Sequence, residues 1–349
     1  MNKKTIGILF GGMSAEYHIS LQSAHAVITH LNTERIEPVL IGVNRLGHWF
    51  RYHGSVDHIL DDTWCNPKYC TPAVISPCRK NAGLIEYGTK GTAFSRLDAA
   101  FPIMHGPFGE DGTVQGLIEL AGIPLVGCGT LASASCMDKD MAHRLAASVG
   151  IAVPKSASFD STVPFVEIEK AVETLSYPLF VKPVRAGSSF GVSKVMTKDD
   201  ISEAVQEAFR YDTRILLEKC IEGFEVGCAV MGNEDLLVGE LDEVELTGGF
   251  FDYTEKYNLV TSRIHVPARL SFDKTEEVKE TAKAIYRALG CKGFARVDMF
   301  VTPENRVLFN EVNTIPGFTA HSRFPSMMKA AGMSFEMVIE RLIETAVVS

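Results

Sequence analysis

Three oxygen-bearing side chains, Asp298, Glu311 and Asn313, stand among Val, Met, Leu and Phe in the stretch from Gly293 to Phe324. Two β-rich runs, Ala295 to Val301 and Arg306 to Val312, flank the turn-forming Thr302-Pro303-Glu304-Asn305, a pattern that predicts a hairpin or tight strand connection. Side chains alternate along a strand, so Arg296 and Asp298 share one face of the first run, and Glu311 and Asn313 share one face at the end of the second. Two carboxylates and an amide oxygen converging across paired strands suit Mg²⁺, which keeps several waters and usually shares its shell with substrate phosphates. Arg296 adds a fixed cation beside them. The following Thr314-Ile315-Pro316-Gly317 favours the metal reading, because glycine can bring a bare backbone N–H close to a reacting oxygen. The solvated outer face of an edge hairpin would use the same residue types, so the hairpin spacing alone leaves both open.

Other segments carry groups that suit phosphate chemistry. Pro178 to Ser193 (PLFVKPVRAGSSFGVS) is a strand ending in Lys182, followed by a loop with Gly187, Ser188, Ser189 and Gly191. Such a loop exposes backbone N–H groups that can close over phosphate oxygens, while the lysine contributes a point charge; an ordinary polar turn reads the same way. A second lysine, Lys139, stands in Met137-Asp138-Lys139 near the start of a helix, where a solvated side chain is the alternative. Glu218, Lys219 and Ile221 end a strand, where backbone beside apolar side chains can hold an adenine edge, and Glu225 beyond Gly223 is a natural acceptor for ribose hydroxyls. A salt-bridged strand end is the alternative. Gly248 to Tyr257 (GGFFDYTEKY) mixes glycines, aromatics and Lys256, a composition that suits either a water-excluding lid or a mobile surface loop. Glu16, at the start of a helix, is either an N-terminal charge favoured by the dipole or a partner for a substrate ammonium. His105 beside Gly106 is a turn histidine, or an acid/base or orienting group near the substrate.

The chain must fold to bring these segments together. At 349 residues and 46% hydrophobic content it can bury ample core, and its length suggests two or three domains. The net charge of −9 offers no basic footprint for a polyanion, so nucleic acid is excluded as a partner. Met-Asn-Lys-Lys is followed by only six mostly apolar residues, too few for a signal peptide or a membrane span, and a cytoplasmic location is expected. Cys65, Cys70 and Cys78 contain no CxxC spacing and read as free thiols. Strand Thr5 to Phe10, a helix to about Leu31 and strand Arg35 to Val43 form the first β/α alternation; Gly47 to Tyr87 is irregular or hairpin-like. Strand Ala99 to Met104, helix Val114 to Ala121 and strand Ile123 to Val126 continue an open, mostly parallel sheet with ligands at its carboxyl ends. A glycine-rich turn near Gly127 marks a boundary, so the expected units are 1–128, 129–219 and 220–349, with one helix predicted over Leu131 to Val149.

Lys182 with RAGSSFGV, Glu218 with Glu225, and Asp298, Glu311 and Asn313 together resemble an ATP-grasp fold. HGPFGEDGTVQG from His105, MDK from Met137, YTEKY from Tyr253 and NEVNTIPGFTAHS from Asn310 further resemble the D-alanine:D-alanine ligases and their relatives, in the expected order over the whole chain. The resemblance implies an α/β, α+β architecture in which an N-terminal open-sheet domain precedes two α+β domains gripping ATP. Glu16 would bind the ammonium of the first D-alanine, and Lys139 and Lys182 the phosphates. Glu218, Lys219 and Ile221 would line the adenine, Glu225 the ribose, and Asp298, Glu311 and Asn313 two Mg²⁺ ions, with Mn²⁺ able to substitute. Arg296 and the Gly317 N–H would stabilise an oxyanion. Ser188, linked with Glu16 and Tyr257, would orient the site; Lys256 would follow the transferred phosphate, Ser322 would hold the acceptor carboxylate, and His105 would face the substrates. A cytoplasmic homodimer with a role in peptidoglycan synthesis is implied.

Some positions depart from the common D-alanine-adding pattern. Phe251 stands where those enzymes typically have tyrosine, Arg323 where they have leucine, and Cys220 where they have an aromatic. Arg323 introduces a rigid donor fork able to organise hydrogen bonds to a hydroxymethyl group. The combination of Phe251 and Arg323 is similar to the D-alanine:D-serine ligases of vancomycin-resistance clusters, which makes D-serine the expected acceptor. The intact Lys256 and Tyr257 argue against D-lactate.

Overall fold

The computed structural model describes residues 3–246 and 262–348. Phe251, Lys256 and Tyr257 lie outside the described residues. The chain begins with β1 (Lys4–Gly11), α1 (Tyr17–Thr29) and β2 (Ile36–Val43), and α1 buries Tyr17, Leu21, Ala24, Val27 and Ile28 at helical spacing. Next come β3 (Trp49–Tyr52), the short α2 (Asp57–Leu60), β4 (Cys70–Ile75), β5 (Gly83–Gly88), β6 (Gly91–Arg96) and β7 (Ala99–Pro102). They complete a seven-stranded sheet of order β6-β5-β4-β3-β2-β1-β7. Only β2-β1-β7 is parallel; the other strands extend the sheet by antiparallel hairpins. The loops after β1 and β7, at the carboxyl ends of neighbouring parallel strands, carry Glu16 and His105.

After α3 (Thr113–Leu120) come α4 (Thr130–Met137) and α5 (Lys139–Ser148), followed by β8 (Ser156–Asp160), α6 (Phe165–Leu175), β9 (Leu179–Pro183), β10 (Ser193–Val195), α7 (Ile201–Ala208) and β11 (Arg214–Lys219). The four strands form an antiparallel sheet of order β10-β9-β11-β8. The rest of the chain supplies β12 (Phe224–Met231), β13 (Leu237–Val238), β14 (Asp242–Leu246), β15 (Ser262–His265), α8 (Phe272–Ala288), β16 (Phe294–Val301), β17 (Val307–Asn313), α9 (Arg323–Ala330) and α10 (Phe335–Val348). Its antiparallel sheet runs β15-β14-β12-β16-β17, with β13 also on β12.

Two shared cores fix the parts against each other. Ile6, Ile8 and Phe101 of the first sheet pack in one cluster with Phe294, Phe318 and Phe324, and with Val338, Ile339, Leu342 and Ile343 of α10. The ends of the chain are thereby joined through one apolar interior, and the loop bearing Glu16 and the strand bearing Arg296 have fixed positions. A second cluster joins Cys136 and Ala142 of α4 and α5 to Ile285 and Tyr286 of α8, and to Val297 and Phe309 of the hairpin.

Several expected elements differ. The segment 47–87 takes the hairpin-like alternative, with β3, β4 and β5 in antiparallel pairs joined by loops and the short α2. The expected strand Ile123 to Val126 makes only an isolated bridge, Ala100 to Leu125. The single helix expected over Leu131 to Val149 is two, broken at Asp138, whose extended backbone lets its side chain cap Met141 N at 2.9 Å. Helix α9 is absent from the sequence reading; Ser322 sits at its N-cap and Arg323 opens it.

Candidate active site

Register along the β16–β17 hairpin pairs Arg296 with Asn313 and Asp298 with Glu311, as alternation requires, with a bulge just after Asp298. Asp298 is only 1% exposed. Its carboxylate accepts from Arg296 Nε at 2.8 and 3.0 Å and from Nη2 at 2.7 Å, and Asn313 Nδ2 donates to Oδ2 at 3.0 Å. Burial opposes the Arg296 charge, but Asp298 outweighs it and the guanidinium pKa is raised. Glu311 lies 4.0 Å from Lys139 Nζ, which also donates to Ala186 O at 2.7 Å. Lys139 therefore ties the Gly-Ser loop after β9 to the acidic hairpin. The oxygen-rich donor set of Asp298, Glu311 and Asn313 fits Mg²⁺ in chemical type.

Between the four-stranded sheet and this hairpin lies a second charged group. Lys182 Nζ donates to Glu218 Oε1 at 2.7 Å, and both side chains are buried. Among the described residues, Glu218 Oε2 has no hydrogen-bond partner, nor does His143 Nδ1 at 3.8 Å from it, while His143 Nε2 faces Asn310 O at 2.8 Å. A buried carboxylate oxygen without a donor is costly, and it suits a ligand that brings one, such as the amino group of an adenine. Lys219 Nζ is turned away to Ser176 O and Tyr177 O at 3.2 and 3.1 Å, which leaves backbone as its means of meeting a base. Ile221 is half-buried just beyond.

A cleft of about 310 Å³ opens where the first sheet meets the hairpin. Glu16, His105, Ser188, Arg296, Asn313, Gly317, Ser322 and Arg323 all line it, so predicted residues from distant segments converge. Ser188 donates its hydroxyl to Glu16, although the two are on opposite sides of the chain's first boundary. Ser188 and Ser189 both hold positive φ, 47° and 60°, to carry that loop across. Ser322 Oγ accepts from Thr319 N at 3.1 Å and lies 2.9 Å from Thr319 Oγ1. His105 is buried and its pKa falls to about 4, because burial disfavours the charge despite a bond to Ile315 backbone. Its Nε2 is 3.3 Å from Ser23 Oγ, which accepts from Phe318 N.

Arg323 also departs from expectation. Its fork is not free in the acceptor pocket: Nε and Nη2 hold Asp242 at 2.7 and 2.8 Å, Nη1 holds Glu225 Oε1 at 2.8 Å, and Nη2 approaches Asp298 Oδ1 at 3.4 Å. Burial works against its charge, yet Asp242 and Asp298 raise its pKa. Glu225, expected at a ribose, joins this cluster through one oxygen. The sequence reading missed Asp242, which looked like one of several strand carboxylates, and Glu110, hidden in a glycine-rich turn.

The family described as "D-ala D-ala ligase N-terminus" matches residues 5–128, and "D-ala D-ala ligase C-terminus" matches residues 145–344. The chain is similar to the vancomycin B-type resistance protein VanB of Enterococcus faecalis, at 43% identity over 99% of both chains. It is 42% identical to a D-alanine–D-alanine ligase of Caldicellulosiruptor bescii, over 99% of this chain and 96% of the relative. The solved VanG D-Ala:D-Ser ligase from Enterococcus faecalis superposes with a TM-score of 0.91 at 50% identity, covering 99% of this chain and 100% of that one. The chain belongs to the D-alanine–D-alanine ligase family, with the ATP-grasp fold and the ATP-dependent ligase chemistry of that family.

Proposed function

We propose that this ligase joins D-alanine to D-serine, with ATP activating the D-alanine carboxylate. The single observation that carries this reading is the cleft in which Glu16, Ser188, Arg296, Gly317 and Arg323 converge. Glu16 holds the donor ammonium, steadied by the Ser188 hydroxyl. Asp298, Glu311 and Asn313 would hold Mg²⁺, which supplies neutralisation of phosphoryl charge. Lys139 and Lys182 face the phosphates while Glu218 accepts from the base. The D-alanine carboxylate attacks the γ-phosphorus, giving D-alanyl phosphate and releasing ADP. The acceptor amine then attacks the acyl carbon, its excess proton passes to solvent, and phosphate leaves. Arg296 and the Gly317 N–H stabilise the oxyanion formed on the way.

The acceptor follows from Arg323. Asp242 and Glu225 take three of its five N–H donors and Nη2 approaches Asp298 at 3.4 Å, and in this reading the second Nη1 hydrogen serves the ligand. A pinned donor in the acceptor pocket favours a hydroxymethyl over a methyl group, because the analogue lacking the hydroxyl leaves it unpaired. The product belongs to cell-wall precursor synthesis, of the type that confers vancomycin resistance. D-Alanine as acceptor is the second reading, favoured by the similarity to the Caldicellulosiruptor bescii ligase. Coupled ADP release should be faster with D-alanine plus D-serine than with D-alanine alone, and Arg323→Leu should reverse the preference. Equal rates before and after that change would remove the serine assignment.

A further inference from the structure

Glu110 lines the same cleft as Glu16 and has no part in the chemistry above. Gly106 brings the two carboxyl groups together. Its N–H donates to Glu110 Oε2 at 2.7 Å, and its α-carbon lies so near Glu16 that an added methyl would come within 2.6 Å of Oε2. Gly187 presses Glu16 from the other side, where a methyl would meet Oε2 at 2.8 Å. The carboxyls thus share a narrow enclosure walled by backbone.

We propose that Glu16 and Glu110 form a two-carboxylate seat that shares one proton when empty and releases it to solvent when the ammonium of the donor amino acid docks. Two like charges confined beside each other do not both ionise readily, whereas a cation between them allows it. The surrounding charges fit a single proton. Burial, then Glu16, push the Glu110 carboxyl up to about 8, against the backbone N–H groups of Gly106 and Ile315 and the Arg296 charge. The buried His105 on the same loop stays neutral near pH 7. Asp111 takes the N–H groups of Phe108 and Thr113, and Arg323 is held by Asp242 and Glu225. His321 also lines the cleft, on the acceptor side beside Ser322. Nothing is oxidised or reduced: the Glu110 O–H bond breaks, buffer takes the proton, and the arriving ammonium supplies the compensating charge.

This inference rests on the reading of Glu16 as the donor-ammonium site, and its test separates the two. D-Alanine binding is measured by calorimetry near pH 7, with a non-hydrolysable ATP analogue and Mg²⁺, in two buffers of different ionisation enthalpy. The wild type is expected to release up to one proton per D-alanine, falling toward none by about pH 9, and Glu110→Gln to bind D-alanine with no release. If Glu110→Gln does not fold, the pH dependence of the wild-type proton count decides. Binding with no proton release at any pH would overturn the shared-proton seat alone. No D-alanine binding by the wild type would overturn the donor-site reading along with it.

Discussion

Arg323 grips Asp242 through two hydrogen bonds, Nε to Oδ2 at 2.7 Å and Nη2 to Oδ1 at 2.8 Å, with Asp242 fully shielded from water. Removing one partner of a buried pair leaves the other charge uncompensated, at a cost of about 3–5 kcal/mol. Arg323→Leu and Asp242→Asn should therefore each destabilise the fold, and the double variant should fall short of their sum by about 1–3 kcal/mol. Urea denaturation of the four proteins measures this. Strict additivity would mean that the pair is not coupled as the structure shows.

The pair also bears on acceptor choice. Asp242→Asn loosens the fork without removing it, so KM for D-serine should rise about tenfold, equivalent to about 1.4 kcal/mol, while KM for D-alanine as donor stays within a few-fold. An equal rise in both would point to general damage.

Glu218 Oε2 is buried without a donor among the described residues. Glu218→Gln puts an amide where an acceptor is needed, so ATP affinity should fall by about tenfold to a hundredfold, as for one lost hydrogen bond to a charged group. Equilibrium titration with ATP measures it; unchanged affinity would place the base elsewhere.

Much of the site was legible because it obeys strand alternation. Asp298 and Glu311 are cross-strand partners, as the period of two requires, and the turn residues Thr302 to Asn305 announced the hairpin. Asp242 and Glu110 were not legible, since Asp242 meets a residue 81 positions away and Glu110 acts with Glu16, which stands in another strand's loop. Helix α9 was missed because His-Ser-Arg-Phe-Pro reads as a loop; Pro325 near the start of the helix is tolerated because N–H groups of the first turn have no intrahelical partner. Asp138 reads as helix interior from its sequence context, yet its side chain caps a new helix and places Lys139 in the first turn.

Arg296 meets both oxygens of Asp298 as a planar fork. Lysine keeps the charge but not the fork, so Arg296→Lys should lower kcat by about 10²–10³ with ATP affinity changed only a few-fold. Steady-state kinetics beside ATP titration test this, and an unaltered kcat would remove Arg296 from oxyanion stabilisation.

Two groups lining the cleft shape stability against pH in opposite directions. The folded pKa of His105, about 4, lies below its unfolded value near 6.5, so its contribution is present above about 6.5 and is lost as pH falls toward 4, on the order of 3 kcal/mol. The folded pKa of Glu110, about 8, lies above its unfolded value, so its contribution is present below about 4.5 and is lost as pH rises to 8. Glu110→Gln should therefore raise Tm relative to wild type near pH 8.5 more than near pH 5. Equal shifts at the two pH values would contradict a proton held on Glu110.

The most direct test is the identity of the product. Purified protein incubated with Mg²⁺, ATP and equal D-alanine and D-serine should yield, by mass spectrometry, chiefly the D-alanyl-D-serine dipeptide, with one ADP formed per peptide bond. Chiefly D-alanyl-D-alanine, or ADP with no dipeptide of either kind, would contradict the account.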